Sequence, residues 1–363
     1  MTSRDGALVP MVLAAGLATR LRPLTQDRAK GTVPFLNRPL LDYTFEWLAR
    51  SGFDRAVVNL HHAPDSIVEL YGRCAFGLEV HYSHEPELLG TAGGPRAALD
   101  RLGERALIVN GDVVTSMALG PLLMHHRKRE AMATLALHTG PGADDYPHVA
   151  AAADGRLLGF PGDSVDETEV AVRGVFTGLH VVESAVLEAV PAGVACGIVD
   201  PVYRSLIESG LCVGAIPVPG AWYEVGTPQL YIDRQLESLR RESLSLAFDG
   251  LNRNGAGAYS SPHAHVENAR PRPPYLLGAG SRIKQGAWVE ASVIGDRGQV
   301  TAGARIDRSV LWPGAVVGAA CRLRECIVME GVAVAAGTVA ERTIFAPGGA
   351  IAFDSYGAGP AAR

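Results

Sequence analysis

The chain has 363 residues, enough for two domains on a prior of roughly 100 to 200 residues each. Hydrophobic residues make up 47% and charged residues 20%, the composition of a globular protein with a large core rather than of a disordered one. Lys and Arg number 33 against 38 Asp and Glu, a formal net charge of −5, so the basic excess of a nucleic-acid binder is missing and a small-molecule partner is favoured.

The five cysteines, Cys74, Cys196, Cys212, Cys321 and Cys326, are odd in number and form no C-x-x-C pair. That argues against both a zinc knuckle and a disulfide framework, and a reducing cytoplasm is the expected compartment. "MTSRDG" leads straight into a strand, and no apolar run reaches the ~18 residues of a membrane span.

Up to about residue 245, short apolar runs alternate with helix-like stretches: "ALVPMVLAA", then 39–51, "RAVVNLHH", 64–73, "LEVHYS", 92–102 and "RALIVNGD". This βα alternation predicts a layered α/β domain with a mostly parallel sheet, whose ligands bind beyond the carboxyl ends of the strands. The first such end is "VLAAGLATRLRPLT" (12–25), where Gly16 lets backbone approach a ligand and Arg20, Arg22 and Lys30 crowd into one short stretch suited to a polyphosphate. It is neither a Walker A loop nor a G-x-G-x-x-G turn, and taken alone it also reads as a solvated basic turn.

"EPELLGTAGG" (85–94) is a glycine-rich loop entering a helix, with exposed N–H groups for a base or ribose. "LIVNGDVVT" (107–115) sets Asp112 beyond a buried strand, where a carboxylate can hold Mg²⁺ against phosphates; Asn-Gly-Asp alone also reads as a turn. "AWYEVGTPQL" (221–230) puts Glu224 just before a Gly-Thr-Pro helix start, as a second metal carboxylate or a surface glutamate.

After the helical stretch from Pro228, "HVENARPRPPY" reads as a linker. From 272 the text repeats every 17 residues: "RPPYLLGAGSRIKQGAW", "VEASVIGDRGQVTAGAR", "IDRSVLWPGAVVGAACR", "LRECIVMEGVAVAAGTV" and a partial "AERTIFAPGG". The fifth column is Leu276, Val293, Val310, Ile327 and Ile344, and each repeat holds about three strand-length segments, the spacing of a hexapeptide β-helix. The expected boundaries are a catalytic domain over 1–245, a linker over 246–270 and the β-helix over 271–353.

Together, "LAAGLATRLRPLT", "LGTAG", "NGD" and "WYEVGT" resemble, in order and spacing, the motifs of the sugar-1-phosphate nucleotidyltransferases over about 240 residues. The tail is similar to the left-handed β-helix attached to many members, including mannose-1-phosphate guanylyltransferases. The resemblance implies a Rossmann-like nucleotidyltransferase domain followed by a left-handed β-helix, and transfer of a nucleoside monophosphate from a triphosphate to a sugar 1-phosphate. It implies Arg20 and Lys30 as catalytic phosphate contacts, and Asp112 and Glu224 as Mg²⁺ ligands. Leu13, Ala14, Ala15, Gly16, Glu85, Gly90 and Thr91 would meet the nucleotide, and Tyr146, Thr177 and Gly178 the sugar. GTP and mannose 1-phosphate are the favoured pair, with no nucleic acid and no membrane as partner, and a homo-oligomer formed through the β-helix.

The chain departs from that pattern at several places. Ala18 replaces a loop glycine, Ala29 a proline, and Glu224 the usual aspartate, one methylene longer. Pro147 stands where a glycine N–H often meets the sugar, and "GRLLGFPGDSVDE" lacks the Glu-Lys pair that grips the sugar phosphate. Arg173 or His148 is a candidate to compensate, and each reads first as a surface or loop residue. Three rivals remain: a uridylyl- or thymidylyltransferase of the same family, such as the muramate-1-phosphate enzymes that also lack the Glu-Lys pair; a scaffold homologue with weak turnover; and an acyltransferase, against which stands the absence of histidine inside the coils.

Overall fold

A computed structural model describes residues 8–356, the side chain of Leu246 excepted. Contacts divide it into two compact units: the described parts of Met1–Leu17 with Thr44–Trp222, and Ala18–Tyr43 with the described part of Tyr223–Arg363.

The first unit is built on a ten-stranded sheet. Leu8–Leu13 lies at its centre, parallel to both Arg55–Leu60 and Arg105–Asn110, and Leu78–His84 continues the parallel set. Val9, Met11 and Val12 are buried, as a strand covered on both faces requires. Pro10 can sit in this central strand because pairing toward Arg55–Leu60 starts only at Met11, so no ladder bond is lost there. The long strand Val170–Glu183 runs antiparallel to Arg105–Asn110 on one edge and to Ala133–His138 on the other, with a register break between Phe176 and His180. The parallel strands bring Leu13, Asn59 and Asn110 into one row at their carboxyl ends.

The second unit contains the coils. Strands seventeen residues apart pair in parallel: Leu276 with Val293, Val293 with Val310, Val310 with Ile327 and Ile327 with Ile344. A second parallel sheet runs through His265–Val266, Arg282–Ile283, Gln299–Val300, Val316–Val317 and Ala333–Val334. The expected fifth column therefore stacks, yet the coil interior is filled by the next one, Leu277, Ile294, Leu311, Val328 and Phe345. Successive side chains on a strand face opposite ways, so the fifth column points out of the coil. It is buried all the same, and the helix Pro228–Arg241 packs against the strands Arg272–Leu277 and Trp288–Ile294.

Two expectations about boundaries meet a different arrangement. The stretch read as a linker contains Ala258–Ser260 and His265–Val266, which pair in parallel with Arg272–Leu277 and Arg282–Ile283, so coil pairing begins before residue 271. Pro262 and Pro271 lie between these short strands, while Pro273 and Pro274 lie within Arg272–Leu277. The segment Ala18–Tyr43, expected inside the first domain, instead clusters with the coils. All five cysteines are unpaired, and no helix among the described residues is long and apolar enough to cross a membrane.

Candidate active site

In the first unit, the expected nucleotide loop leaves the central strand at Leu13 and is caught at once by Asn59. The Asn59 side-chain oxygen accepts the N–H groups of Ala14 at 2.7 Å and Ala15 at 3.3 Å. Its Nδ2 donates to Glu85 Oε1 at 2.7 Å, and Glu85 Oε2 accepts the Leu89 N–H at 2.9 Å. Asn59 and Glu85 are both buried. Glu85, expected to help the loop meet the nucleotide, has both oxygens engaged inside the protein and holds the loop in place. The N–H groups of Ala14 and Ala15 are likewise spent on Asn59, and Leu13 O accepts from Gly111 N at 2.9 Å. Gly16 is exposed in this loop and Ala14 half-buried, while Ala15 is buried.

Gly90 opens the helix Gly90–Ala97 at φ +77°, and a Cβ there would stand 2.7 Å from Cys196 O. The Ala92 N–H donates to Cys196 O at 2.9 Å, the Cys196 N–H to Leu89 O at 2.8 Å, and Thr91 Oγ1 accepts from Ile198 N at 2.9 Å. The glycine-rich loop is therefore pinned from residues 196–198, and Thr91 stays exposed with its hydroxyl hydrogen uncommitted by that bond. Asp112 leaves the sheet two residues after Asn110, beside Leu13 through the Gly111 bond.

On the expected sugar side, Gly178 takes φ +75° at the register break, and a Cβ on it would meet Asn110 Nδ2 at 2.2 Å. Only glycine satisfies both the backbone and the asparagine there. Thr177 is buried, and its hydroxyl donates to Ala136 O at 2.9 Å, while its carbonyl accepts Trp222 Nε1 at 3.0 Å. It braces the bulge through these two bonds, with its hydroxyl turned inward. The half-buried Tyr146 packs edge-on against Trp222 with centroids 5.0 Å apart. His148 Nε2 bonds Ala143 O at 3.0 Å, and Arg173 pairs with Glu167 on the exposed surface, so Arg173 does not replace the missing lysine.

The second unit carries the cations. Arg20 sits on a short 3₁₀ turn, Thr19–Leu21, entered through Ala18 at φ +48° and closed by Thr25 Oγ1 donating to Ala18 O at 2.9 Å. Leu21 and Leu24 anchor the turn in the core. Arg20 Nη2 lies 3.7 Å from Glu224 Oε1. A Cβ on Gly226 would come within 2.8 Å of Glu224 Oε1 and 3.5 Å of Arg20 Nη2, so the glycine lets the carboxylate and the guanidinium lie this close to the backbone. Thr227 caps the following helix, accepting Leu230 N at 3.2 Å with Pro228 at the first position. Lys30 begins a second 3₁₀ turn, Lys30–Thr32, whose Gly31 is pressed against Leu41.

Hard carboxylate oxygens on Asp112 and Glu224 suit Mg²⁺, which keeps much of its shell for water and phosphate oxygens. Among the described residues no group of three or more His, Cys, Asp or Glu could hold a metal. Each carboxylate fits an ion that takes its remaining ligands from phosphate and water better than a protein-only cage.

Asn59 and Asn110 were not singled out from sequence. The signal was an asparagine closing a hydrophobic strand, in "RAVVN" and "ALIVN", where a buried amide must find partners.

A parallel sheet with glycine-rich loops at its carboxyl ends, an arginine and a glutamate at one corner, and stacked hexapeptide coils define an α/β enzyme that handles nucleotides. The chain belongs to the nucleotidyl transferase family, whose model matches residues 9–241, and a GlmU-like C-terminal hexapeptide model matches residues 275–341. It is 27% identical to a UTP–glucose-1-phosphate uridylyltransferase of Synechocystis, over 76% of this chain and 75% of that protein. It is also 27% identical to the mannose-1-phosphate guanylyltransferase of Mycobacterium tuberculosis, over 79% of each chain. A putative mannose-1-phosphate guanyltransferase of Sulfolobus acidocaldarius is 26% identical over 78% of this chain and 75% of its own.

Proposed function

We propose that the protein transfers a nucleoside monophosphate from a nucleoside triphosphate to a sugar 1-phosphate, releasing pyrophosphate, with GTP and mannose 1-phosphate as the favoured pair. The observation that carries this is the Arg20–Glu224 corner, 3.7 Å across, in a chain matched by the nucleotidyl transferase model over residues 9–241.

A sugar phosphate oxygen attacks the α-phosphorus and pyrophosphate departs, so the substrate brings its own nucleophile. The protein has to align two anions and quiet their repulsion. Arg20 steadies the triphosphate and the charge growing on pyrophosphate, and Lys30 contacts the phosphates of the reacting pair. Asp112 and Glu224 would hold Mg²⁺, which when bound neutralises phosphate charge. Gly16, Gly90 and Thr91 receive base and ribose on the frame held by Asn59 and Glu85. Tyr146 and the Gly178 bulge border the sugar. The coils are read as an oligomerisation element, which light scattering checks.

Uridylyl transfer is the second reading, supported by the Synechocystis relative at the same 27% identity. The full set of coils weighs against a muramate-1-phosphate type, which generally lacks them. The test is to incubate the protein with Mg²⁺, each of five nucleoside triphosphates and several sugar 1-phosphates, and to measure pyrophosphate. Release from GTP with mannose 1-phosphate supports the first reading and release from UTP alone the second. No release from any pair favours a scaffold, in keeping with Pro147 and the missing Glu-Lys pair.

A further inference from the structure

The seventh column of the 17-residue repeat reads Gly278, Gly295, Trp312, Met329 and Ala346, so one coil places a tryptophan where others have glycine, methionine or alanine. Trp312 is fully buried, but it does not belong to the coil interior. Its indole Nε1 donates to the Tyr231 hydroxyl at 2.9 Å, and that hydroxyl donates to Pro34 O. Burial pushes the Tyr231 phenol up, so it stays protonated and keeps that donor. On the indole lies Arg28, its guanidinium carbon 5.1 Å from the ring centroid, with Nη2 3.0 Å from Glu330 Oε2. A little further along, the Leu36 N–H donates to Gln235 Oε1 at 2.8 Å and Asn37 Nδ2 to Ile294 O at 3.0 Å.

These contacts hold the chain on both sides of Lys30, at Arg28 before it and at Pro34, Leu36 and Asn37 after it. Between them, the turn bonds Thr32 N to Ala29 O, 3.0 Å, and Val33 N to Lys30 O, 3.1 Å, with Thr32 Oγ1 donating to Ala29 O at 2.9 Å, shape the lysine's backbone. The anchors come from the coils and from the helix packed on them. A buried indole under a guanidinium is a stiff support, since neither group rearranges without losing the other.

We propose that Trp312 and Arg28 are positioning residues that set Lys30, making the β-helix a working part of the phosphate site. This rests on the reading of Lys30 as a phosphate contact. A displacement of about 1 Å in such a group can cost on the order of a hundredfold in rate, so a loosened loop would show in turnover before it showed in folding.

The test uses the full chain with Arg28→Ala, Arg28→Lys and Trp312→Phe. Two quantities are measured: amide hydrogen exchange of the peptide spanning residues 28–37, and kcat and KM for pyrophosphate release. Arg28→Ala is expected to speed exchange in that peptide and to lower kcat roughly ten- to a hundredfold, with KM changed far less. Arg28→Lys keeps a cation on the ring and should recover most of the loss. Trp312→Phe keeps the ring but loses the N–H to Tyr231, and should fall between; if it does not fold, the two Arg28 variants decide alone. Parent-like exchange and turnover in Arg28→Ala overturn the proposal. So does a lower kcat with unchanged exchange, because Arg28 would then act on substrate directly. Faster exchange in Arg28→Ala, in a parent that releases no pyrophosphate from any pair, leaves the positioning intact and refutes the functional reading instead.

Discussion

Asn59 Nδ2 donates to Glu85 Oε1 at 2.7 Å, both groups buried, and the other end of the same amide holds the N–H groups of Ala14 and Ala15. One side chain thus ties the nucleotide loop to the glycine-rich loop across neighbouring parallel strands. Asn59→Leu keeps the volume and removes every partner, leaving a buried carboxylate, the buried amide of Ala15 and the half-buried amide of Ala14 short of bonds. The expected loss is about 2–4 kcal/mol, read by urea denaturation, with a raised KM for the triphosphate. Unchanged stability would show that the loops do not depend on this amide.

Gly178 and Asn110 make a second, steric dependence. A Cβ at 178 would have to sit 2.4 Å from Asn110 Cγ on a backbone already at φ +75°. Gly178→Ala should therefore destabilise by about 2–4 kcal/mol in thermal or urea melts. The same change in an Asn110→Ala background should cost clearly less, because only the backbone strain remains. Equal costs in both backgrounds would remove the clash from the explanation.

Arg20 is 38% exposed, so its removal touches little packing. Arg20→Ala is expected to lower kcat by about 10²- to 10³-fold while the melting temperature stays within a degree or two. Near-normal turnover would strip Arg20 of its catalytic role.

His180 gives a pH dependence of stability. It is fully buried beside the Tyr203 hydroxyl, and burial alone brings its pKa from 6.5 down to about 3. Burial pushes the Tyr203 phenol up, so it stays protonated and shares a hydrogen bond with Nδ1 of the neutral ring. Between pH 6.5 and about 3 the unfolded chain binds this proton and the folded protein does not. The stabilisation is whole above the unfolded value and is lost as pH falls through that window, at up to ~1.4 kcal/mol per pH unit. His180→Gln keeps an acceptor for Tyr203 without titrating. The parent should lose stability more steeply than this variant between pH 6 and 4, and matching slopes would mean that His180 is not held neutral.

Much of this architecture is legible in the sequence because its causes are local or periodic. The 17-residue repeat declares the coils, and its fifth column appears as a stacked row from Leu276 to Ile344. Which column fills the coil is not legible, since Val293 and Ile294 are equally apolar and only the packed helix Pro228–Arg241 decides that both are buried. The motifs mark the loops at the strand ends, but they do not separate residues that meet a ligand from those that brace the loop. The bracing bonds of Glu85 and Thr177 are not legible because their partners, Asn59 and Ala136, lie 26 and 41 residues away. The union of Ala18–Tyr43 with the coils is non-local in the same sense: Arg28 finds Glu330 302 residues later, and no pattern near either residue announces it.

The central claim is that a sugar phosphate oxygen displaces pyrophosphate from the α-phosphorus of a nucleoside triphosphate. Phosphorus NMR of the protein with Mg²⁺, GTP and mannose 1-phosphate tests it directly. The account predicts pyrophosphate and the paired resonances of a sugar diphosphonucleoside growing in equal amounts as both substrates decline, with UTP and glucose 1-phosphate as the comparison mixture. Spectra in which no diphosphate ester forms from either mixture, or in which orthophosphate is the only new signal, would contradict it.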